Sequence, residues 1–273
     1  MIQLSQSKLA VWQTCKRKFQ LRYVEKSEWP LEPFAEESTQ AMEMGEMFHM
    51  LVAQHMMLGS EFAVSTDQLG PPLNSWWLNF LETIPTLVSI RSADRFRVET
   101  SLAAPINEQF KLFGRIDLLV TNEDSIEIFD WKTGRPRSKI DLEEDWQTRI
   151  YLALLYQSRL SLGLNIAADQ LSMTYWYARE PKNSVKIFFN EDWHKKNWDE
   201  LVAVANKISD QLDSNQTIWS LTDDKNVCGR CAFSALCGRE PANQLNDSAD
   251  FEELEIEELS DFELADTVVH PDI

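Results

Sequence analysis

The chain has 273 residues, 44% of them hydrophobic and 26% charged, with only 8 Gly and 10 Pro, which excludes a collagen-like or wholly disordered protein and predicts one large globular domain or two small ones. Its longest uninterrupted apolar run, Tyr151 to Tyr156, is far below the roughly 18 residues of a membrane span. The N-terminus also lacks a charged segment followed by an apolar core and a small-residue cleavage site, so a cytoplasmic location is expected. The formal charge is -18, yet eleven acidic residues and no Lys or Arg lie from Pro241 to Ile273, leaving -7 on the preceding 240 residues; a nucleic-acid partner therefore survives the overall sign.

Ser5 and Ser7 can cap a helix in which Leu9, Trp12, Phe19 and Tyr23 fall near helical spacing, with Lys16, Arg17, Lys18 and Arg22 around them. A second helix is predicted from about Glu37 to Leu58, with Met42, Gly45, His49 and Val52 close to one face. Gly70-Pro71-Pro72 is a break, and Trp76, Trp77 and Phe80 point to another buried helix beyond it. After Arg91 the period changes. Phe96–Leu102 alternates like a strand, and Gln109–Thr121 and Ser125–Trp131 are two more strands joined by the turn Asn122-Glu123-Asp124. A helix is predicted over Asp141–Leu160, strands at Leu171–Ala178 and Ser184–Phe189, and a last helix over about Asp192–Leu212. This order predicts an α/β or α+β core with a central mixed sheet flanked by helices, an N-terminal helical region and a C-terminal cysteine segment. Phe251–Leu259 interleaves apolar and acidic residues; it reads as part of a solvated tail, or alternatively as a docking peptide or a nucleic-acid mimic.

Cysteines occur at Cys15, Cys228, Cys231 and Cys237 and nowhere else. The last three form C-x2-C-x5-C, close spacing that in a reducing compartment serves a metal or redox centre better than disulfides. With Cys15 arriving from the other end of the chain, four thiolates suit either zinc or a [4Fe-4S] cube; Cys15 could alternatively be a small buried apolar residue.

A second constellation is acidic. Gly114-Arg115-Ile116-Asp117 places an Asp inside an apolar strand, and Asp130-Trp131-Lys132-Thr133-Gly134 places Asp130 and Lys132 at the end of the next. The strand period of two projects Asp130 and Lys132 to one side, and pairing of the two strands lets Asp117 face Asp130. Buried carboxylates are costly unless paired or metal-bound, and two that share one place make a hard oxygen site for Mg2+ or Mn2+, with Lys132 beside it to orient a water. Standing alone, the D-x-K triplet would equally suit a surface ion pair. Glu99, on the preceding strand, is either a further acid of the site or an exposed strand carboxylate.

These residues resemble the RecB-like branch of the PD-(D/E)XK nucleases, particularly its iron-sulfur subgroup, which includes the AddB nuclease domain and the CRISPR-associated RecB-like exonucleases. The matching elements are Gly45-x-x-x-His49, Gly114-x-Ile116-Asp117, Asp130-Trp131-Lys132-Thr133-Gly134, Gln147-x-x-x-Tyr151 and the cysteine arrangement, spread over about residues 4–240. The resemblance implies a restriction-endonuclease-like core over 1–240 whose terminal segments are joined by a [4Fe-4S] cluster on Cys15, Cys228, Cys231 and Cys237, followed by an acidic tail over 241–273. It further implies that His49, Asp117 and Asp130 bind the divalent metal with the backbone carbonyl of Trp131, and that Lys132 assists the attacking water. Gln147 and Tyr151, one turn apart on a helix face, would support the site.

The implied activity is metal-dependent hydrolysis of DNA phosphodiesters, with single-stranded or frayed ends as the preferred substrate. Arg115 and the run Lys132, Arg135, Arg137 and Lys139 offer a locally positive path for the backbone. The pattern G-x-x-x-x-G-K-[ST] is absent, so unwinding would fall to a separate helicase or repair partner. Two other readings remain at this stage: a noncatalytic iron-sulfur scaffold, and a nuclease that processes CRISPR spacers.

Overall fold

The structure is a computed structural model that describes residues 2–27, 36–62, 64–91, 93, 95–229 and 231–239. The acidic tail expected over 241–273 lies outside the described residues. In chain order the elements are β1 (Ile2–Leu4), α1 (Gln6–Thr14), α2 (Lys16–Phe19), α3 (Glu36–Leu58), α4 (Leu73–Thr83), α5 (Val88–Arg91), β2 (Arg95–Pro105), β3 (Phe110–Asn122) and β4 (Ser125–Lys132). They continue with α6 (Lys139–Glu144), α7 (Trp146–Ser158), β5 (Leu171–Tyr177), β6 (Val185–Phe188), α8 (Glu191–Leu212) and α9 (Lys225–Gly229). The described residues fall into two compact units, one within 2–10 and 47–219, the other within 11–46 and 220–239.

The first unit is built on a mixed sheet of order β1-β3-β4-β5-β6, with β2 also paired to β3. The expected meander is present: β2 and β4 both pair antiparallel with β3, while β4 and β5 run parallel and β6 returns antiparallel. The short parallel strand β1, joined to the start of β3, has no period to betray it in three residues. Helix α7 packs on β2, β3 and β5 and buries Ile150, Leu152, Ala153, Leu154 and Leu155 almost completely. Elsewhere in the unit, Phe48 of α3 stacks on Trp176 of β5, and Phe80 of α4 meets Trp131 and Trp176 edge-on. Burial of each large apolar side chain of this kind stabilises the fold by about 1.5–3 kcal/mol, so the long segment between His49 and Glu99 supplies core as well as surface.

Two predicted helices are interrupted. The one expected over 141–160 is two, α6 and α7, because Asp145 is extended (φ -66°, ψ 139°) and its carboxylate accepts from Gln147 N, capping a new helix. The N-terminal helix likewise breaks at Cys15 (φ -158°, ψ 113°), whose sulfur accepts from Lys18 N. In the second unit α2 continues into a π-helical turn over Gln20–Val24. There Trp12 meets Phe19, and Phe19 meets Tyr23, both edge-on. Arg17 N donates to Ser220 O at 3.1 Å, bringing the two chain segments of that unit together.

Candidate functional site

Strand β3 carries Asp117 where the β2 and β4 ladders both reach it. Val98 pairs with Leu118 and Thr100 with Ile116, so Glu99 comes opposite Asp117. On the other side Leu118 pairs with Phe129 as the last rung of the β3–β4 ladder, so Asp117 and Asp130 stand just past its end. The ladder yields there to a side chain: Trp131 N donates to Asp117 Oδ2 at 2.8 Å. Helix α3 brings in His49, whose Nδ1 stands 3.4 Å from the same oxygen. His49, Glu99 and Asp117 offer ligand atoms that all lie within 4.8 Å of one another.

Burial works against the His49 imidazolium, but the charge and hydrogen bond of Asp117, with Asp130 behind it, outweigh burial and raise its pKa to about 9. Burial equally opposes ionisation of Asp117, yet His49, the Trp131 amide and Lys132 hold its pKa below the usual value. Glu99 is pushed up, first by burial and then by Asp117, with Arg115 and His49 opposing. Its backbone is left-handed, with φ 48°, a conformation that costs a non-glycine residue on the order of 1–3 kcal/mol and concentrates at functional sites. One imidazole nitrogen and two carboxylates form a hard donor set that fits a divalent cation such as Mg2+ or Mn2+. An imidazolium has no lone pair to give, so a cation entering the group must displace the His49 proton.

Asp130 is 2% exposed, and its two oxygens have different partners: Gln147 Nε2 donates to Oδ1 at 2.7 Å, and Lys132 Nζ stands 3.0 Å from Oδ2. Asp130 is thus balanced by an ammonium rather than included in the tight His49–Glu99–Asp117 group. Opposite Asp130 on β5 is Tyr175, whose ring lies under Lys132 Nζ at 5.6 Å and whose hydroxyl bonds Thr148 Oγ1 at 2.7 Å. Burial and the Asp130 charge push the Tyr175 pKa well up, so the phenol stays protonated. Neither Tyr175 nor Thr148 stands out in the sequence, because only the β4–β5 register places them here.

Tyr151 has a different role from Gln147. A Cβ on Gly114 would come within 2.8 Å of its ring, so Gly114 exists to admit Tyr151 against β3, and the tyrosine fixes where α7 lies. At the end of β4 the chain turns into the expected basic run. Arg137 is tied there, its NH1 to Asp145 Oδ2 at 2.6 Å and its amide to the Tyr177 hydroxyl at 3.2 Å; Arg135 and Lys139 are exposed.

Within the second unit, Cys15, Cys228, Cys231 and Cys237 line one small pocket with Leu221, Val227 and Phe233. Burial raises the Cys237 pKa, and the other three cysteines also bear on it, with Arg17 partly offsetting the shift. Four cysteines around one pocket supply the donor types of a tetrathiolate centre.

The profile of the PD-(D/E)XK nuclease superfamily matches residues 3–238. No curated protein matches the chain. Among solved structures it is similar to the crystal structure of SSO0001, at 14% identity and a TM-score of 0.39 over 87% of each chain. It is also similar to a candidate exonuclease from Eubacterium rectale, at 8% identity and a TM-score of 0.44 over 80% of this chain and 85% of that one.

Proposed function

Because the chain belongs to the PD-(D/E)XK nuclease superfamily, and so to a family of divalent-metal nucleases, we propose that it is a deoxyribonuclease of the RecB-like iron-sulfur branch, acting as an exonuclease on single-stranded or frayed DNA. The observation that carries this reading is the meeting of Asp130 and Lys132, 3.0 Å apart, with His49 and the Trp131 amide both on Asp117. His49, Asp117 and Asp130 would hold the divalent cation, joined by Glu99 and the backbone carbonyl of Trp131. When bound, Mg2+ or Mn2+ supplies positive charge to the phosphate oxygens and acidity to a water. Lys132, held in place by Asp130, donates to the attacking water and steadies the oxygen on which charge builds. Gln147 fixes the orientation of Asp130 through its hydrogen bond, and Tyr151, seated on Gly114, fixes the helix that carries Gln147.

The four cysteines would carry a [4Fe-4S] cluster that ties the segment around Cys15 to that around Cys228–Cys237, so that residues 1–240 act as one nuclease domain. A separate helicase would deliver unpaired DNA. The test is purification without oxygen, assay of iron and sulfide, and incubation of labelled single- and double-stranded DNA with Mg2+ or Mn2+. Asp130→Ala and Lys132→Ala are expected to keep their iron and to lose cleavage by about 10²–10³-fold or more, the scale of a lost transition-state contact. Cleavage that persists in both variants would overturn the catalytic assignment; zinc in place of iron would overturn the cluster.

A further inference from the structure

We propose that Arg115 is the guanidinium that grips a non-bridging oxygen of the substrate phosphodiester beside the cation group, and that Glu99 positions it. This rests on the nuclease reading and names how that site holds its substrate. Arg115 is two residues before Asp117 on β3, and its Nε stands 3.0 Å from Glu99 Oε2 in an ion pair. Glu99 in turn has a ligand atom within 4.8 Å of those of both His49 and Asp117. One carboxylate therefore stands between a cation-binding group and an arginine.

The physics of the pair favours placement over stability. The side chains of Arg115 and Glu99 are 44% and 31% exposed, and an ion pair at such exposure contributes little to folding. Glu99 nevertheless holds it from a left-handed backbone, a geometry that the surrounding ladder has to enforce. The contact with Glu99 is an ion pair at Nε, while a guanidinium carries five N–H donors in a planar fork that matches phosphate. Phosphate is also a ligand that could serve both, one oxygen facing the cation group and another accepting from the guanidinium, so that cation and arginine would share one group. A lysine at this position would bring charge without the fork.

The test compares wild type, Arg115→Met, Arg115→Lys and Glu99→Gln with a labelled oligothymidine in Ca2+, which holds substrate without turnover, and separately titrates each protein with Mn2+ alone. Arg115→Met is expected to bind the oligonucleotide about tenfold more weakly, as for a lost charged hydrogen bond. Its salt dependence should flatten by about 0.7 in the log–log slope, the share of one single-strand phosphate contact. Its Mn2+ affinity should stay at the wild-type value, which also reports that the protein is folded. Arg115→Lys should keep the slope and lose part of the affinity, and Glu99→Gln should lose both oligothymidine and Mn2+ affinity. If wild type binds DNA and Arg115→Met does so with the same affinity and slope, the grip is refuted while the nuclease reading stands. Wild type that neither binds nor cleaves DNA would refute the nuclease reading and this proposal with it.

Discussion

The acidic group on β3 and the cysteine pocket differ in what holds their side chains. Asp117 and Glu99 are set by the antiparallel β2–β3 register and Asp130 by the parallel β4–β5 register, and a shift of one residue would turn them to the opposite face. The cysteines sit at the ends of very short helices: Cys15 just before the four residues of α2, and Cys228 within the five residues of α9. Helices that short are marginal by themselves. The acidic group is thus arranged by the fold before any ligand arrives, whereas the short helices of the cysteine region would gain rigidity from a ligand on their sulfurs.

The largest expected effects come from breaking one region and reading both. Asp117→Ala should abolish Mn2+ binding and lower cleavage by about 10²–10³-fold, while leaving cysteine-bound iron at the wild-type level. Cys231→Ser should do the reverse: iron is lost, and limited proteolysis opens the chain within 11–27 and 220–239, because a metal centre's binding energy is also folding energy. Mn2+ titration should survive that second change. Loss of Mn2+ binding in Cys231→Ser would show that the acidic group is not independent of the sulfurs and would erase the contrast.

A smaller effect tests how tightly the acidic region is packed. Gly114→Ala puts a methyl group 2.8 Å from the Tyr151 ring and 3.2 Å from Leu154 Cδ1, and overpacking of this kind costs about 1–3 kcal/mol. Urea unfolding should show that loss. Tyr151→Leu in the same chain should recover part of it, since the clash is with the ring. Full stability in the single variant would mean that α7 can slide, and that Gln147 is less fixed than its hydrogen bond implies.

What could be read from the sequence follows the same division. Alternation located β2, β3 and β4 to within a few residues, and the apolar context of Asp117 and Asp130 marked both as costly and therefore purposeful. The pairing of those strands then followed from a three-residue turn. What stayed hidden depends on contacts between residues far apart in the chain. Tyr175 joins Asp130 only through the parallel β4–β5 register, and the left-handed backbone of Glu99 has no glycine or asparagine to announce it. The breaks at Cys15 and Asp145 were concealed for a different reason: both residues continue a helical pattern of apolar neighbours while their own side chains cap the next helix.

Asp145 gives the finest test of that last point. Its Oδ1 accepts from Gln147 N at 2.9 Å and its Oδ2 pairs with Arg137, so one side chain both starts the helix that carries Gln147 and ties down the basic run. Asparagine can still cap, and an exposed ion pair is worth about 0–1 kcal/mol, so Asp145→Asn should fall close to wild type in a urea titration. Asp145→Ala loses the cap and should be less stable by about 1 kcal/mol. Because Gln147 is the second residue of α7, fraying of that turn also loosens its grip on Asp130. Asp145→Ala should therefore lower kcat by about tenfold, the low end of the range for residues that orient metal ligands, with KM less affected. Alanine and asparagine variants with equal midpoints and equal kcat would mean that α7 starts at Trp146 without its cap, and that the break after α6 is imposed by packing alone.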